Sequence, residues 1–324
     1  MLSRLHTALV ILVSCLAGTS VATAQTYPSR NITLIVPFAP GGATDILARQ
    51  LGPRLSARLG QSVVIENVSG GSTNIGSGRV AHAPPDGYTL LVHNLQISAN
   101  VTLYPNLDFN PEKDLALVGL VNKNPLVLVG RKSLPCKDLN EFVAWMKKNI
   151  AKAALPSLGS TAHLATVVLK DATGANVDLI PYRGTGPIAQ DLVGEQVDLT
   201  FGTPQQMIPL IRGDKLNGCG VTAPGRTAQL PDVPSLADKF GAQMDIVYWQ
   251  GVFAPAGTPA AVMNKLGAAL RAVMADPELL KQWTEQGVDP FPPDLTTRAG
   301  GDKFYRSEIA RWRGVIQKNK ITVN

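Results

Sequence analysis

Apolar and polar positions follow two rhythms along most of the chain. Short apolar runs at residues 32–36, 63–65, 88–92, 126–129, 177–182, 197–201, 219–222 and 247–254 have the length of strands. Between them the apolar positions recur at helical spacing. Leu47, Leu51, Leu55 and Leu59 form one stripe, and Leu139, Phe142, Val143, Met146 and Ile150 another. Val262, Leu266, Ala269, Leu270 and Val273 form a third, and Tyr305, Ile309, Trp312 and Ile316 form the last. Pro53 falls inside the first stripe and is expected to kink or break that helix.

Strand and helix alternating over about 300 residues predict an α/β fold, with mostly parallel sheets flanked by helices. The length favours two domains. No short-period repeat and no low-complexity linker interrupts the chain. The candidate crossings are therefore brief, at residues 122–125 and 248–251. They place residues 25–124 and 249–324 in one lobe and 125–248 in the other, with a cleft between them.

The first 24 residues read as a signal peptide. Arg4 supplies the positive end, residues 7–17 the apolar stretch, and Ala22-Thr23-Ala24 the small-x-small cleavage site. A buried helix of the folded domain is the blander reading, but charge, apolar stretch and site stand in the order export requires. Leu12-Val13-Ser14-Cys15 offers a second way out, cleavage before a lipid-anchored Cys15. Downstream no apolar stretch approaches the ~18–20 residues that span a bilayer.

Composition narrows the function. Removing the leader takes away Arg4 and no acid, so the formal charge of +6 falls to +5. Lys and Arg are dispersed, which argues against nucleic acid and fits a mild attraction for anions. Cys136 and Cys219 are the remaining cysteines. They could pair, yet Cys219 lies in an apolar run where a buried free thiol is equally at home. No Cys-x-x-Cys or His-x-x-x-His occurs, so neither a metal nor a cofactor is indicated.

In open α/β sheets ligands bind beyond the carboxyl ends of the strands. Pro40-Gly41-Gly42-Ala43-Thr44-Asp45 joins such a strand to a helix, whose free N–H groups favour an anion. Taken alone it is better read as a strand-to-helix turn capped by Thr44 or Asp45. Residues 69–76, Ser-Gly-Gly-Ser-Thr-Asn-Ile-Gly, make a second loop, without the Gly-Lys-Ser/Thr ending of a nucleotide loop. A third, Gly159-Ser160-Thr161-Ala162-His163, sets two hydroxyls beside a helix start, a good set for a carboxylate. His163 in that first turn is as readily a packed histidine as a ligand contact.

Two enzyme readings fail. Gly184-Thr185-Gly186-Pro187-Ile188-Ala189 imitates a dinucleotide loop, but Pro187 removes an N–H and suits the start of an ordinary helix. There is no Gly-x-Ser-x-Gly elbow, and His82, His93 and His163 have no nucleophile partner in sequence. A secreted hydrolase would need a triad assembled only in space.

The motifs just described fall where one family has its own. The chain resembles the substrate-binding proteins of tripartite tricarboxylate transporters, the Bug family. The likeness runs through Tyr27-Pro28-Ser29-Arg30, the stretch from Ile35 to Asp45, Glu66-Asn67, Asn74-Ile75-Gly76 and Pro85-Asp86-Gly87-Tyr88. It continues through Pro181-Tyr182-Arg183-Gly184, Leu230-Pro231-Asp232-Val233-Pro234 and Phe253-Ala254-Pro255-Ala256-Gly257. The resemblance implies a periplasmic, two-lobed Venus-flytrap receptor, not an enzyme, acting as a monomer without a cofactor. It would deliver its ligand to membrane permease subunits. It implies carboxylate capture by the loop containing Phe38, Pro40, Gly41, Gly42, Ala43, Thr44 and Asp45, partly through water. The second loop would contribute Gly159, Ser160, Thr161 and His163, with Arg183 nearby. Members commonly carry Ser-x-Gly-x-Gly ahead of the second loop, where this chain has Leu155-Pro156-Ser157-Leu158-Gly159. An Asp common after the Val-Asp-Leu-x-Phe strand is Gly202 here.

The expected function is thus capture of a small organic mono- or dicarboxylate, aromatic ones included. A non-carboxylate polar solute is the alternative ligand, and hydrolysis the alternative class. Turnover of a model ester would mark a hydrolase, and release of a ligand unchanged in mass a receptor. Protein recovered from the periplasm should have the intact mass of a chain starting at Gln25. A diacylglycerol adduct on Cys15 would overturn that expectation.

Overall fold

A computed structural model describes residues 26–182 and 184–323. The leader, its cleavage site and Cys15 lie outside them. The chain first lays down β1 (Ile32–Val36), β2 (Val63–Asn67), β3 (Thr89–Asn94) and β4 (Leu115–Pro125). It then forms β5 (Val127–Gly130), β6 (Ala151–Leu155), β7 (Val177–Pro181), β8 (Leu199–Gly202) and β9 (Asn217–Val221), and returns as β10 (Val247–Pro255) and β11 (Asp289–Pro290). The outgoing and returning strands share a six-stranded sheet of order β11-β4-β10-β3-β1-β2. The middle strands make a five-stranded sheet of order β7-β6-β8-β5-β9.

Both sheets are mixed. β1 pairs parallel with β2 and β3, and β6 with β7 and β8. These are the strands joined through helices. β10 is antiparallel to β3 and β4, and β5 to β8 and β9. Antiparallel pairs enter where the chain leaves one sheet and comes back to it. β1 and the Leu90–Val92 stretch of β3 are largely apolar runs instead of alternating ones, as burial on both faces requires.

The first leucine stripe behaves as expected. The Ala43–Leu59 helix buries Leu47, Leu51, Leu55 and Leu59. It packs with the Ala260–Met274 helix over one face of the larger sheet. Pro53 does not break it. Pro53 and Arg49, whose carbonyl loses its N–H partner, are both exposed, so water can take the freed group. The Leu139–Lys148 helix is shorter than its stripe suggests. Asn149 ends it by donating from both its backbone N (3.0 Å) and its Nδ2 (2.8 Å) to Trp145 O, and Ile150 is left outside and exposed.

On the opposite face, the Arg298–Lys318 helix buries Tyr305, Ile309, Trp312 and Ile316. Trp249 of β10 packs beneath it. The indoles of Trp249 and Trp312 both donate to Glu308 Oε2, at 3.0 and 3.2 Å. Burial raises the Glu308 carboxyl above the usual carboxylate range, against the opposing pull of Arg311 and the two indoles.

The cysteines are joined. Cys136–Cys219 ties the loop before the Leu139–Lys148 helix to β9 across 83 residues. In the chain-entropy view such a loop stabilises the fold by about 4.5 kcal/mol. Gly130 of β5 makes room for the bridge, since a Cβ there would lie 2.9 Å from Cys219 Sγ.

Where the chain passes between sheets, one side chain clamps both passages. Thr222 is fully buried. Its hydroxyl accepts from Leu126 N at 2.8 Å and donates to Ile246 O at 2.6 Å. Thr222→Val keeps the shape and orphans both backbone groups. Unpaired buried polar groups cost ~1–3 kcal/mol each, so urea unfolding should show a loss of about 2–4 kcal/mol. A loss under ~0.5 kcal/mol would show the clamp to be dispensable.

Candidate functional site

β1 ends at Val36, and the chain turns through Phe38 to Gly42 into the Ala43–Leu59 helix. Pro40 and Gly41 are exposed, while Ala43, Thr44 and Asp45 are buried. Gly42 is the helix N-cap and supplies no side-chain acceptor. The first N–H groups of this helix are thus not capped by a side chain, as an anion site needs.

Asp45 is spent on the loop. Its Oδ2 accepts from Gly41 N and Arg49 Nε, both at 2.9 Å, and its Oδ1 accepts from Asn67 Nδ2 at 2.9 Å. The Asn67 amide also donates to Phe38 O at 3.1 Å. Burial pushes the Asp45 carboxyl up. The bonds from Arg49, Gly41 and Asn67, with the Arg49 charge, outweigh it and hold the group below its ordinary value. Neither Thr44 nor Asp45 caps the helix in the way a plain turn would use them.

Thr44 faces inward. Its Oγ1 lies 3.3 Å from Tyr248 Oη and accepts from Gln250 Nε2 at 3.1 Å and Asn94 Nδ2 at 3.3 Å. Asn94 Nδ2 also donates to Tyr248 Oη at 3.0 Å. Burial pushes the Tyr248 phenol up to about 12, so it stays protonated. Sequence reasoning missed Asn94, Tyr248 and Gln250. Their signal was a polar residue inside an otherwise apolar strand.

The second Gly-rich loop connects the other two. Ser72 and Thr73 both hold left-handed backbone, with φ of 50° and 77°. Such strain persists only where the surroundings impose it. Asn100 Nδ2 (3.1 Å) and Gln96 Nε2 (3.2 Å) donate to Ser72 O, and Thr73 Oγ1 pairs with His93 Nε2 at 3.0 Å. His93 Nδ1 lies 2.8 Å from Asn94 N and 3.0 Å from Asn94 O, so both ring nitrogens are engaged. Burial pulls His93 down to about 3, leaving it neutral. Phe38 packs edge-on to its ring at 5.2 Å. Ser72 Oγ then donates to Leu158 O at 3.2 Å, in the loop after β6.

That loop holds Gly159, Ser160, Thr161 and His163, all buried. Gly159 has φ +78°, which favours glycine, and a Cβ on it would crowd Leu103 Cδ1 at 3.2 Å. Ser160 is the N-cap of the Thr161–Thr173 helix. Its Oγ accepts from His163 N at 3.3 Å and donates to Ser157 O at 2.7 Å. Gly159 N donates to His163 Nδ1 at 2.9 Å, and burial lowers the His163 pKa. Among the described residues Thr161 Oγ1 has no hydrogen-bond partner, and no direct hydrogen bond joins Phe38–Asp45 to Gly159–His163. Arg183 lies outside the described residues. No group of three His, Cys, Asp or Glu among the described residues could hold a metal ion.

Residues 47–321 match the family model described as "Tripartite tricarboxylate transporter family receptor". Three solved structures are similar over their whole lengths. The periplasmic binding protein BugD superposes with a TM-score of 0.85 at 32% identity, covering 91% of this chain and 99% of its own. MatC of Rhodopseudomonas palustris with bound malate gives 0.82 at 33% identity, covering 90% and 100%. A second R. palustris protein, with adipate, gives 0.84 at 31% identity, covering 91% and 99%. The fold is the two-lobed one of periplasmic binding proteins.

Asp45→Asn turns one amide donor toward donors already there, those of Asn67 or of Gly41 and Arg49. At pH 7 it should cost about 1–3 kcal/mol. A depressed folded pKa stabilises above the unfolded value, near 3.9 for Asp, and the gain is lost as pH falls through the folded value. Denaturant unfolding of wild type and variant should therefore differ most above pH ~4 and converge below it. A gap that does not depend on pH would show that the Asp45 charge contributes nothing.

Proposed function

Because the chain belongs to the tripartite tricarboxylate transporter receptor family, we propose that it is an exported receptor. It captures a small organic carboxylate between its lobes and delivers it to membrane permease subunits. The observation that carries this reading is the Thr161 hydroxyl. The residue is 7% exposed, its hydroxyl is unpartnered among the described residues, and it stands in the first turn of a helix. Across the cleft, the Ala43–Leu59 helix begins without a side-chain cap. A carboxylate spanning the two would accept N–H and O–H bonds from both. MatC and the adipate-bound neighbour carry ligands of this class in their structures.

The roles divide within the two loops. Phe38, Pro40, Gly41, Gly42, Ala43 and Thr44 form the first wall, and Asp45 holds that wall in shape without touching the ligand. In the second, Gly159 makes the turn, Ser160 and His163 fix the helix start, and Thr161 contacts the ligand. Arg183 adds positive charge. Residues 25–124 with 249–324 form one lobe and 125–248 the other, hinged at 122–125 and 248–251. Closure is a shift toward the state that the ligand prefers. No helix among the described residues is long and apolar enough to cross a membrane. Export through the N-terminal leader and work as a monomer complete the reading.

Calorimetry with malate and adipate on Thr161→Ala and Ser160→Ala tests it. A hydrogen bond to a charged group contributes about 1.5–3 kcal/mol, so Thr161→Ala should bind roughly tenfold to a hundredfold more weakly, with its melting temperature preserved. Ser160→Ala should chiefly lose ~1 kcal/mol of cap stability. Unchanged affinity in Thr161→Ala would move the carboxylate elsewhere in the cleft. Failure of every carboxylate to bind wild type would overturn the reading.

A further inference from the structure

Beyond the N-terminus of the Ala43–Leu59 helix, one face of the larger sheet turns polar. Gln250 of β10 stands opposite Asn94 on one side and Asn122 on the other, and Tyr248 stands opposite Asn124. Residues directly opposite in antiparallel pairs project to the same side, and so do residues two apart on one strand. Five polar side chains therefore share this face. Three of them, Asn94, Tyr248 and Gln250, converge on Thr44 Oγ1. The face thus leads to the helix start that receives the carboxylate.

The other two are buried and unused. Asn122 is 1% exposed and Asn124 2%. Asn122 has no partner for Nδ2 or for Oδ1 among the described residues. Asn124 Nδ2 donates to Pro125 O at 2.8 Å, and its Oδ1 has no partner. Buried amides are normally paired, and each exception needs an explanation. What remains open is two acceptor oxygens and one donor nitrogen, which carries two N–H groups. A carboxylate, which only accepts, can satisfy the donor alone. The acceptors need an O–H or N–H group.

We propose that Asn122 and Asn124 are specificity-determining residues that accept hydrogen bonds from a hydroxyl on the ligand, making this protein a receptor for hydroxycarboxylates. The inference rests on the carboxylate reading above and narrows its substrate class. A hydroxyl suits the site better than an ammonium. The face offers neutral amides, and the nearby acid, Asp45, is already bonded to Gly41, Arg49 and Asn67. Fold and family do not decide the point, since neighbours carry malate, which has a hydroxyl, and adipate, which has none. The signal belongs to this chain's own strand.

Three pairs of compounds that differ by one hydroxyl test the proposal by calorimetry: malate and succinate, lactate and propionate, mandelate and phenylacetate. Wild type should bind the hydroxylated member of at least one pair more tightly by about tenfold or more. In Asn124→Leu and Asn122→Leu that ratio should fall toward one, with binding of the unhydroxylated member retained. Equal binding within each pair by wild type overturns the proposal and leaves the carboxylate reading intact, and this arm needs no variant to fold. A ratio that survives in both variants also overturns it and leaves the amides to buried water. If no compound binds, the carboxylate reading falls first and this one with it.

Discussion

One buried hydroxyl, that of Thr44, ties the start of a helix to two neighbouring strands of the larger sheet by side-chain hydrogen bonds. It belongs to the first turn of a helix, and its partners come from the end of β3 and from β10, the strand that returns from the smaller sheet. In a low-dielectric interior such a network is strong when complete and costly when broken. It sets the helix start against the returning strand, so the Phe38–Asp45 loop is registered to the strand that comes back from the smaller sheet. The apolar stripe of the same helix could not do this alone, because hydrophobic contact has no direction.

Most of the fold was legible because burial leaves a periodic trace. The leucines at 47, 51, 55 and 59 and the aromatic stripe ending at Ile316 mark helices by spacing, and the short apolar runs of β1 and of Leu90–Val92 in β3 mark buried strands. β4 was not legible as a strand, and its last residues, 122–125, coincide with an expected crossing. Its pairing with β10 shifts register between Gln250 and Gly251 and again between Val252 and Phe253, and such irregularities blur the two-residue period. The Cys136–Cys219 bond was not legible either, since whether two apolar-flanked thiols meet depends on how the intervening strands are ordered.

The candidate site divides along the same line. Its loops announce themselves as glycine-rich turns between strand and helix, because backbone geometry is written locally. Which hydroxyl is open for a ligand is not written locally. Ser160 and Thr161 look equivalent in sequence, and only the positions of Ser157 O and His163 N show that the first is engaged. Asn94, Tyr248, Gln250, Asn122 and Asn124 come from three strands, and only sheet register places them together.

The charge states around the cleft lead in another direction. His93 is drawn far below neutrality, Tyr248 far above it, Asp45 is held ionised and His163 is lowered. From mildly acidic to mildly alkaline surroundings His93 and Tyr248 stay neutral and Asp45 stays ionised. These three groups beside the start of the Ala43–Leu59 helix thus offer no switch for acidity there. Souring of the surroundings would then alter uptake mainly through the nutrient, by converting the ionised form to the neutral acid. The cell would be sampling the anion's concentration, with acidity entering only as the chemistry of the food.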